Sequence, residues 1–124
     1  MTLHRRAVAA ALATISLAMT ASAALAHTEV KSTSPARGAA ASTAIRAVTV
    51  TFTGPIRRGT LRVTRRGGER VSLGNGGRDS HSISRLRVRL EGSLRRGRYR
   101  ARWTVAGADG HELKGSFGFR LRRG

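Results

Sequence analysis

The feature that most constrains how this chain can fold is a strict alternation of apolar and basic side chains. Residues 85–90 alternate arginine with leucine or valine, and residues 99–105 place arginine or threonine between apolar residues. Successive side chains of a β-strand point to opposite faces, so each segment can bury one face and expose the other. We therefore expect half-buried antiparallel strands with arginine on their solvent faces.

Further segments have the character of extended chain. They comprise residues 28–35, 45–52, 61–63, 71–73 and 117–121. Turn signals separate them: Gly54-Pro55 ends one segment, residues 66–69 predict a hairpin turn, and residues 74–77 predict a flexible loop. The alanine-rich stretch 38–44 could form a short helical turn. Short strands at this spacing indicate an all-β sandwich or barrel.

The first 26 residues have the order of a secretory signal peptide. Residues 4–6 are basic, residues 7–19 are apolar, and residues 20–26 are mostly small. The alternative is a retained membrane anchor, but the apolar stretch has about 13 residues where a spanning helix needs about 20. We predict a cleavable signal peptide helix over 1–26 and a single domain over 27–124, located in the periplasm or outside the cell.

The charge and the cysteine content exclude some kinds of site and argue against some kinds of partner. The chain has no cysteine, so thiolate metal sites and disulfides are excluded, and its formal net charge is +18. Nucleic acid is not the expected partner, because the arginines are spread over every segment and few aromatic residues are available for stacking. Two interpretations of the arginines stay open: they cover the solvent faces of the strands, or they make weak contacts with anionic polymers or lipids of the cell envelope.

Histidine is the residue type that could carry chemistry. Cleavage after Ala24-Leu25-Ala26 would make His27 the N-terminal residue, whose α-amine and imidazole can chelate one metal ion. His81 and His111 each end an Asp-x-His triplet, at 79–81 and 109–111. Positions i and i+2 of an extended chain point the same way, so each triplet can present a carboxylate with an imidazole. The alternative for each is a polar turn capped by its aspartate.

Context distinguishes the two triplets. Residues 79–81 follow a glycine loop and lie among serines, as in an exposed linker. Residues 109–111 lie between the Trp103 strand and a Gly-x-Phe-x-Phe strand at 115–119.

These motifs, in this order, resemble the CopC-type periplasmic copper-binding proteins of bacterial copper resistance and homeostasis. The resemblance covers the whole chain after the signal peptide. It is carried by the residues His27, Ser34-Pro35-Ala36-Arg37-Gly38-Ala39, Val48-Thr49-Val50-Thr51-Phe52, Leu94-Arg95-Arg96-Gly97-Arg98-Tyr99, Trp103, Ala108-Asp109-Gly110-His111 and the Gly-x-Phe-x-Phe strand. It implies a small Greek-key β-sandwich or barrel of Ig-like architecture.

The resemblance also implies a metal site and a role. The Cu(II) ligands would be His27, by amine and imidazole, together with Asp109 and His111. The only methionines are Met1 and Met19, so the subclass with a single Cu(II) site is implied. The protein would be a monomeric copper carrier or buffer, not an enzyme, that serves a CopD-like membrane copper transporter.

Two departures from the family pattern affect the surroundings of this site. No acidic residue follows Phe52, since the next residues are Thr53-Gly54-Pro55. Glu112 stands where the family usually has proline. Neither position supplies a ligand in the family's common site, so copper binding is still expected.

The chemistry of the ligands supports the same metal, and two other functions stay open. Nitrogen and carboxylate donors in tetragonal geometry favour Cu(II), which also heads the divalent affinity series. An N-terminal histidine chelate also occurs in copper-dependent oxidative enzymes that cleave polysaccharides, but these need an open coordination position and a flat substrate face. The third possibility is a metal-free β-sandwich that binds the envelope through arginine.

Overall fold

The structure is a computed structural model that describes residues 28–124. The predicted signal peptide, residues 1–26, and His27 lie outside the described residues. Within residues 28–124 there is no helix, and hence none long and apolar enough to cross a membrane. The described part contains eight strands: β1 (Val30–Ser34), β2 (Ala40–Ser42), β3 (Ala47–Phe52), β4 (Ile56–Arg65), β5 (Ser72–Arg78), β6 (Arg85–Leu90), β7 (Gly97–Gly107) and β8 (Glu112–Arg122).

The strands form a β-sandwich of two four-stranded sheets, which confirms the predicted all-β class. One sheet has the order β1-β3-β6-β5 and the other β2-β8-β7-β4. All neighbours are antiparallel except the short pair β2 and β8. Strands β7 and β8 pair over ten positions, from Gly97 opposite Leu121 to Ala106 opposite Glu112. This long central hairpin carries the 109–111 triplet at its tip.

The core lies between the inner faces of the sheets and follows the period-two pattern. Alternate residues are buried along β3, β6 and the first half of β7, and the residues between them are exposed or half-buried. Trp103 packs edge-on against Phe52, with 5.1 Å between ring centroids. The core consists of Val48, Val50, Phe52, Ile56, Leu61, Val63, Val71, Leu86, Val88, Leu90, Leu94, Tyr99, Ala101, Val105, Phe117, Phe119 and Leu121.

Three local expectations differ from the structure. Residues 40–42 form strand β2 where a helical turn was expected, because they pair in parallel with the end of β8. The expected flexible loop 74–77 belongs to β5, which bulges between Leu73 and Gly77 and is held by β6. The turn at 66–69 does fold back locally, since the Val71 N–H donates to the Val63 carbonyl at 2.9 Å. The chain then crosses to the other sheet, so β4 and β5 do not form a full hairpin.

The packing of Gly115 against Trp103 leads to a stability prediction. The two residues face each other on β8 and β7, and a Cβ on Gly115 would lie 2.6 Å from Trp103 Cε2 and closer still to Cζ2. Trp103 is held by Phe52, so relief requires movement in the core. We expect Gly115→Ala to lower the free energy of unfolding by about 1–3 kcal/mol, measured by urea denaturation.

Gly77→Ala is the matched control. A Cβ at this strand glycine meets nothing within 4 Å, so the change should stay within about 0.5 kcal/mol. Equal destabilisation by both variants would contradict the packing argument.

Candidate metal centre

The loop that carries Asp109 and His111 is a tight connection between the two central strands β7 and β8. The Gly107 N–H donates to the His111 carbonyl at 3.2 Å, and the Gly110 N–H donates to the Gly107 carbonyl at 3.0 Å. Gly110 has φ +83°, a left-handed conformation that glycine adopts at little cost. The loop is therefore fixed at both ends by long strands and closed by its own backbone.

Asp109 and His111 are in direct contact within this loop. The His111 backbone N–H donates to Asp109 Oδ1 at 2.9 Å, and His111 Nδ1 lies 2.9 Å from Asp109 Oδ2. The His111 side chain is 77% exposed. The triplet thus brings a carboxylate and an imidazole together as predicted, but through an aspartate-capped turn and not through extended chain. The second ring nitrogen, Nε2, makes no hydrogen bond with any of residues 28–124.

The electrostatics of the loop keep Asp109 ionised. The hydrogen bond from the His111 backbone N–H, followed by that with the His111 imidazole, lowers the pKa of the Asp109 carboxyl below its ordinary value. Both interactions favour the charged form. The loop therefore presents an ionised carboxylate beside an imidazole, two groups that can bind a divalent cation.

The start of the described chain lies beside the same loop. The Glu29 N–H donates to Thr53 Oγ1 at 3.0 Å, and the Thr53 N–H donates to the Glu29 carbonyl at 2.8 Å. A Cβ on Gly107 would lie 2.9 Å from Thr28 Oγ1 and 3.4 Å from Asp109 Oδ1. Thr28 thus occupies space that a side chain at position 107 would fill. The residue that follows His27 in the chain lies against the base of the 109–111 loop.

The second triplet has a different environment. The His81 backbone N–H donates to Asp79 Oδ1 at 3.0 Å, and this bond is the main cause of a lowered pKa of the Asp79 carboxyl. The other carboxylate oxygen lies 3.6 Å from Arg85 Nη1. Asp79 is therefore paired with an arginine and makes no side-chain contact with the His81 imidazole. The expectation of an exposed turn is met at Ser80 and His81, but the Asp79 side chain is only 7% exposed.

The described residues hold part of the predicted site. Asp109 and His111 come together, and His27 lies outside the described residues. Within residues 28–124, no three His, Asp or Glu side chains form a group that could hold a metal ion. The contact of Thr28 with Gly107 was not predicted from the sequence. Its one signal is that position 107, two residues before Asp109, is a glycine and leaves room for another chain segment.

The two departures from the family pattern lie close to the loop. A Cβ on Gly54 would lie 3.8 Å from Thr28 Oγ1, so the segment after Phe52 borders the start of the described chain. Glu112 begins β8 and its carboxylate lies 4.0 Å from Lys114 Nζ, where both side chains are exposed. Neither departure disturbs the contact between Asp109 and His111.

Comparison with known proteins identifies a family that matches this chain and solved structures with a similar fold. The family model described as the CopC domain matches residues 30–122. The crystal structure of CopC from Methylosinus trichosporium OB3b is similar with a TM-score of 0.66 at 19% identity, covering 78% of this chain and 95% of that one. PcoC, a methionine-rich copper resistance protein from Escherichia coli, gives a TM-score of 0.65 at 20% identity, covering 78% and 100%. No curated protein sequence matches the chain significantly.

Proposed function

Because the chain belongs to the CopC domain family, we propose that it is an extracytoplasmic Cu(II)-binding protein of copper resistance, acting as a carrier or buffer. The ligands are the N-terminal amine and imidazole of His27, the Asp109 carboxylate and the His111 imidazole. The single observation that supports this best is the position of Thr28 against Gly107 and Asp109. That position would bring a chain beginning at His27 to the loop that carries the other two ligands.

The donor set suits copper better than its competitors. Three nitrogens and one carboxylate oxygen favour Cu(II) in tetragonal geometry over Zn(II), which prefers tetrahedral sites and binds more weakly in this series. A chelate from one residue supplies two of the nitrogens. The Asp109 carboxylate reduces the net charge of the bound ion, which matters in a chain whose formal charge is +18.

A binding role fits the surface better than oxidative catalysis does. Four of the five aromatic residues are in the core, since Phe52, Tyr99, Phe117 and Phe119 are all at most 3% exposed. Trp103 is half-buried, and one ring does not make a flat aromatic platform. Ascorbate-driven oxygen consumption on a polysaccharide tests the enzymatic alternative. Sustained turnover by the copper-loaded protein would replace the carrier proposal with an enzyme.

The proposal is tested by the intact mass of the secreted protein with and without Cu(II). Without Cu(II) we expect the mass of residues 27–124, and with Cu(II) we expect that mass plus the mass of one copper ion. This single measurement determines both the cleavage site and the stoichiometry. A mass that includes residues before His27, together with one bound copper, would contradict the proposed ligand set.

Binding should weaken as the pH falls through the range in which histidine is protonated, about pH 6 to 7. The sign follows from the ligands, since nitrogen donors bind only when deprotonated. The Asp109 carboxyl does not contribute in this range, because its pKa is lowered and it stays ionised. Competition titrations with a Cu(II) chelator from pH 5 to 8 measure the effect. A constant affinity over this interval would exclude histidine ligands.

A further inference from the structure

A groove lined by arginine lies on the outer face of the β2-β8-β7-β4 sheet, at the end remote from the metal loop. The cavity has a volume of about 730 Å³. Along the β4–β7 ladder, Gly107 is opposite Ile56 at one end and Tyr99 is opposite Arg65 at the other, where the groove lies. We call it the arginine groove; its exposed cationic residues are Arg37, Arg66, Arg98, Arg100, Arg102 and Arg120.

The groove is concave because glycine replaces side chains in its floor. Gly118 is directly opposite Arg100 on the neighbouring strand, and a Cβ there would approach Arg100 Nη2 to 3.7 Å. Gly67 and Gly68 form the rim, both with positive φ and open space around them. The neighbouring arginines therefore border a trough and not a flat sheet.

Like charges face each other across the strands of this sheet. Arg62 is directly opposite Arg102, and Arg98 is directly opposite Arg120. Like charges in such positions destabilise a sheet. Among residues 28–124, no Asp or Glu lines the groove, and the ion pairs involve Arg85, Lys114 and His111 instead. The described chain thus maintains uncompensated positive charge here.

Several of the guanidinium groups are positioned by neutral oxygens. Arg100 Nη1 donates to Ser116 Oγ at 3.1 Å, and Arg102 Nη1 donates to Thr64 Oγ1 at 3.2 Å. Arg37 Nη2 donates to the Ser116 carbonyl at 3.3 Å. These bonds orient the planar groups without neutralising them. Each arginine keeps further N–H donors, and the guanidinium fork matches phosphate oxygens in pairs.

The other sheet shows that this arrangement is not a general property of a basic chain. On its outer face, Arg87 and Arg89 lie on the single strand β6. Arg87 is opposite Thr49 and Gly77, and Arg89 is opposite Ala47 and Leu73. The array there is one strand wide and no arginine faces another. Between the outer faces of the two sheets in residues 28–124, the arginine groove is the one that spreads its charge over several strands.

We propose that the arginine groove binds a linear, base-free phosphate polymer. The argument rests on the uncompensated charge, the oriented guanidinium groups and the trough shape, which together fit a thin polyanionic chain. A nucleic acid would need stacking platforms, and the nearby rings Tyr99 and Phe119 are buried and stacked on each other at 5.6 Å. A bilayer surface would call for a flat or apolar face, and no exposed large apolar side chain lines the groove.

The test is calorimetric titration of the metal-free protein, in the presence of a chelator, with linear inorganic polyphosphate. Arg100→Gln/Arg102→Gln should lower the affinity by about tenfold or more, as the loss of two charge-assisted contacts implies. Arg87→Gln/Arg89→Gln makes the same change of charge on the other sheet and should alter affinity by less than about twofold. Arg98→Gln/Arg120→Gln is a second groove variant in case the first one does not fold.

The outcomes separate the possible ligands. Equal losses in the groove and control variants, or no binding of polyphosphate, would overturn the proposal. Tighter binding of single-stranded DNA, or of phosphatidylglycerol vesicles, than of polyphosphate would also overturn it, in favour of those ligands. Far-UV circular dichroism checks folding. Cu(II) affinity should be the same in all variants, so failure of this proposal and failure of the copper proposal are distinguishable.

Discussion

One residue added before His27 in the mature chain should lower the affinity for Cu(II) by at least about a hundredfold. The extension converts the α-amine into an amide and removes one of the four proposed donors. Loss of a partner outside the ligand shell typically weakens metal binding by about 10–100-fold, so loss of a ligand should exceed this. Competition titration with a chelator measures the effect.

A residue added after Gly124 is the matched control, because it changes length without touching the chelate. This variant should bind as the parent does. The N-terminal extension should leave the fold intact, because the first described strand begins at Val30, beyond the site of the extension. Undiminished Cu(II) binding by the extended protein would show that the α-amine is not a ligand.

His111→Ala should reduce Cu(II) affinity by a similar factor, whereas His81→Ala should leave it unchanged. The His111 imidazole is a proposed ligand, and its Nδ1 lies 2.9 Å from Asp109 Oδ2, so its removal deletes one proposed ligand and a contact that orients the other. Asp79 is paired with Arg85 and is not in contact with the His81 imidazole. The two substitutions make the same chemical change in loops of similar construction.

Thermal unfolding provides the check on structure. Both histidines are exposed, so neither substitution should change the free energy of unfolding by more than about 0.5 kcal/mol. If His81→Ala weakened binding and His111→Ala did not, the metal site would belong to the 79–81 triplet.

Alternation of side chains predicted most of the sandwich because burial itself follows a period of two. Val48, Val50 and Phe52 are buried with half-buried residues between them, as the pattern requires. Strand β2 and the later part of β5 escaped prediction for a different reason. Residues 40–42 and 74–77 have little intrinsic preference for a strand. Residues 40–42 become one by pairing with β8, which is distant in sequence, and residues 74–77 do so against β6, the next strand of the chain.

The contact between Asp109 and His111 was predictable from the sequence, but the conformation of their loop was not. The spacing of Asp109 and His111 anticipates their contact, yet the contact depends on a turn that begins at Gly107 and bends at Gly110. The difference between the two triplets depends on Arg85, which approaches Asp79 only after the chain has turned. A short motif specifies which groups are near each other along the chain. The further residues that contact these groups, such as Arg85 at Asp79, depend on how the chain folds.

In the proposed site, His27 would be held by an edge strand, whereas Asp109 and His111 lie between two central strands. Strand β1 is at the edge of its sheet and bonds only to β3, while β7 and β8 each lie between two neighbours. Parting His27 from Asp109 and His111 would therefore require only fraying of an edge, an opening of lower free energy than global unfolding. The residence time of the ion would then follow the stability of the β1 edge and not the free energy of global unfolding.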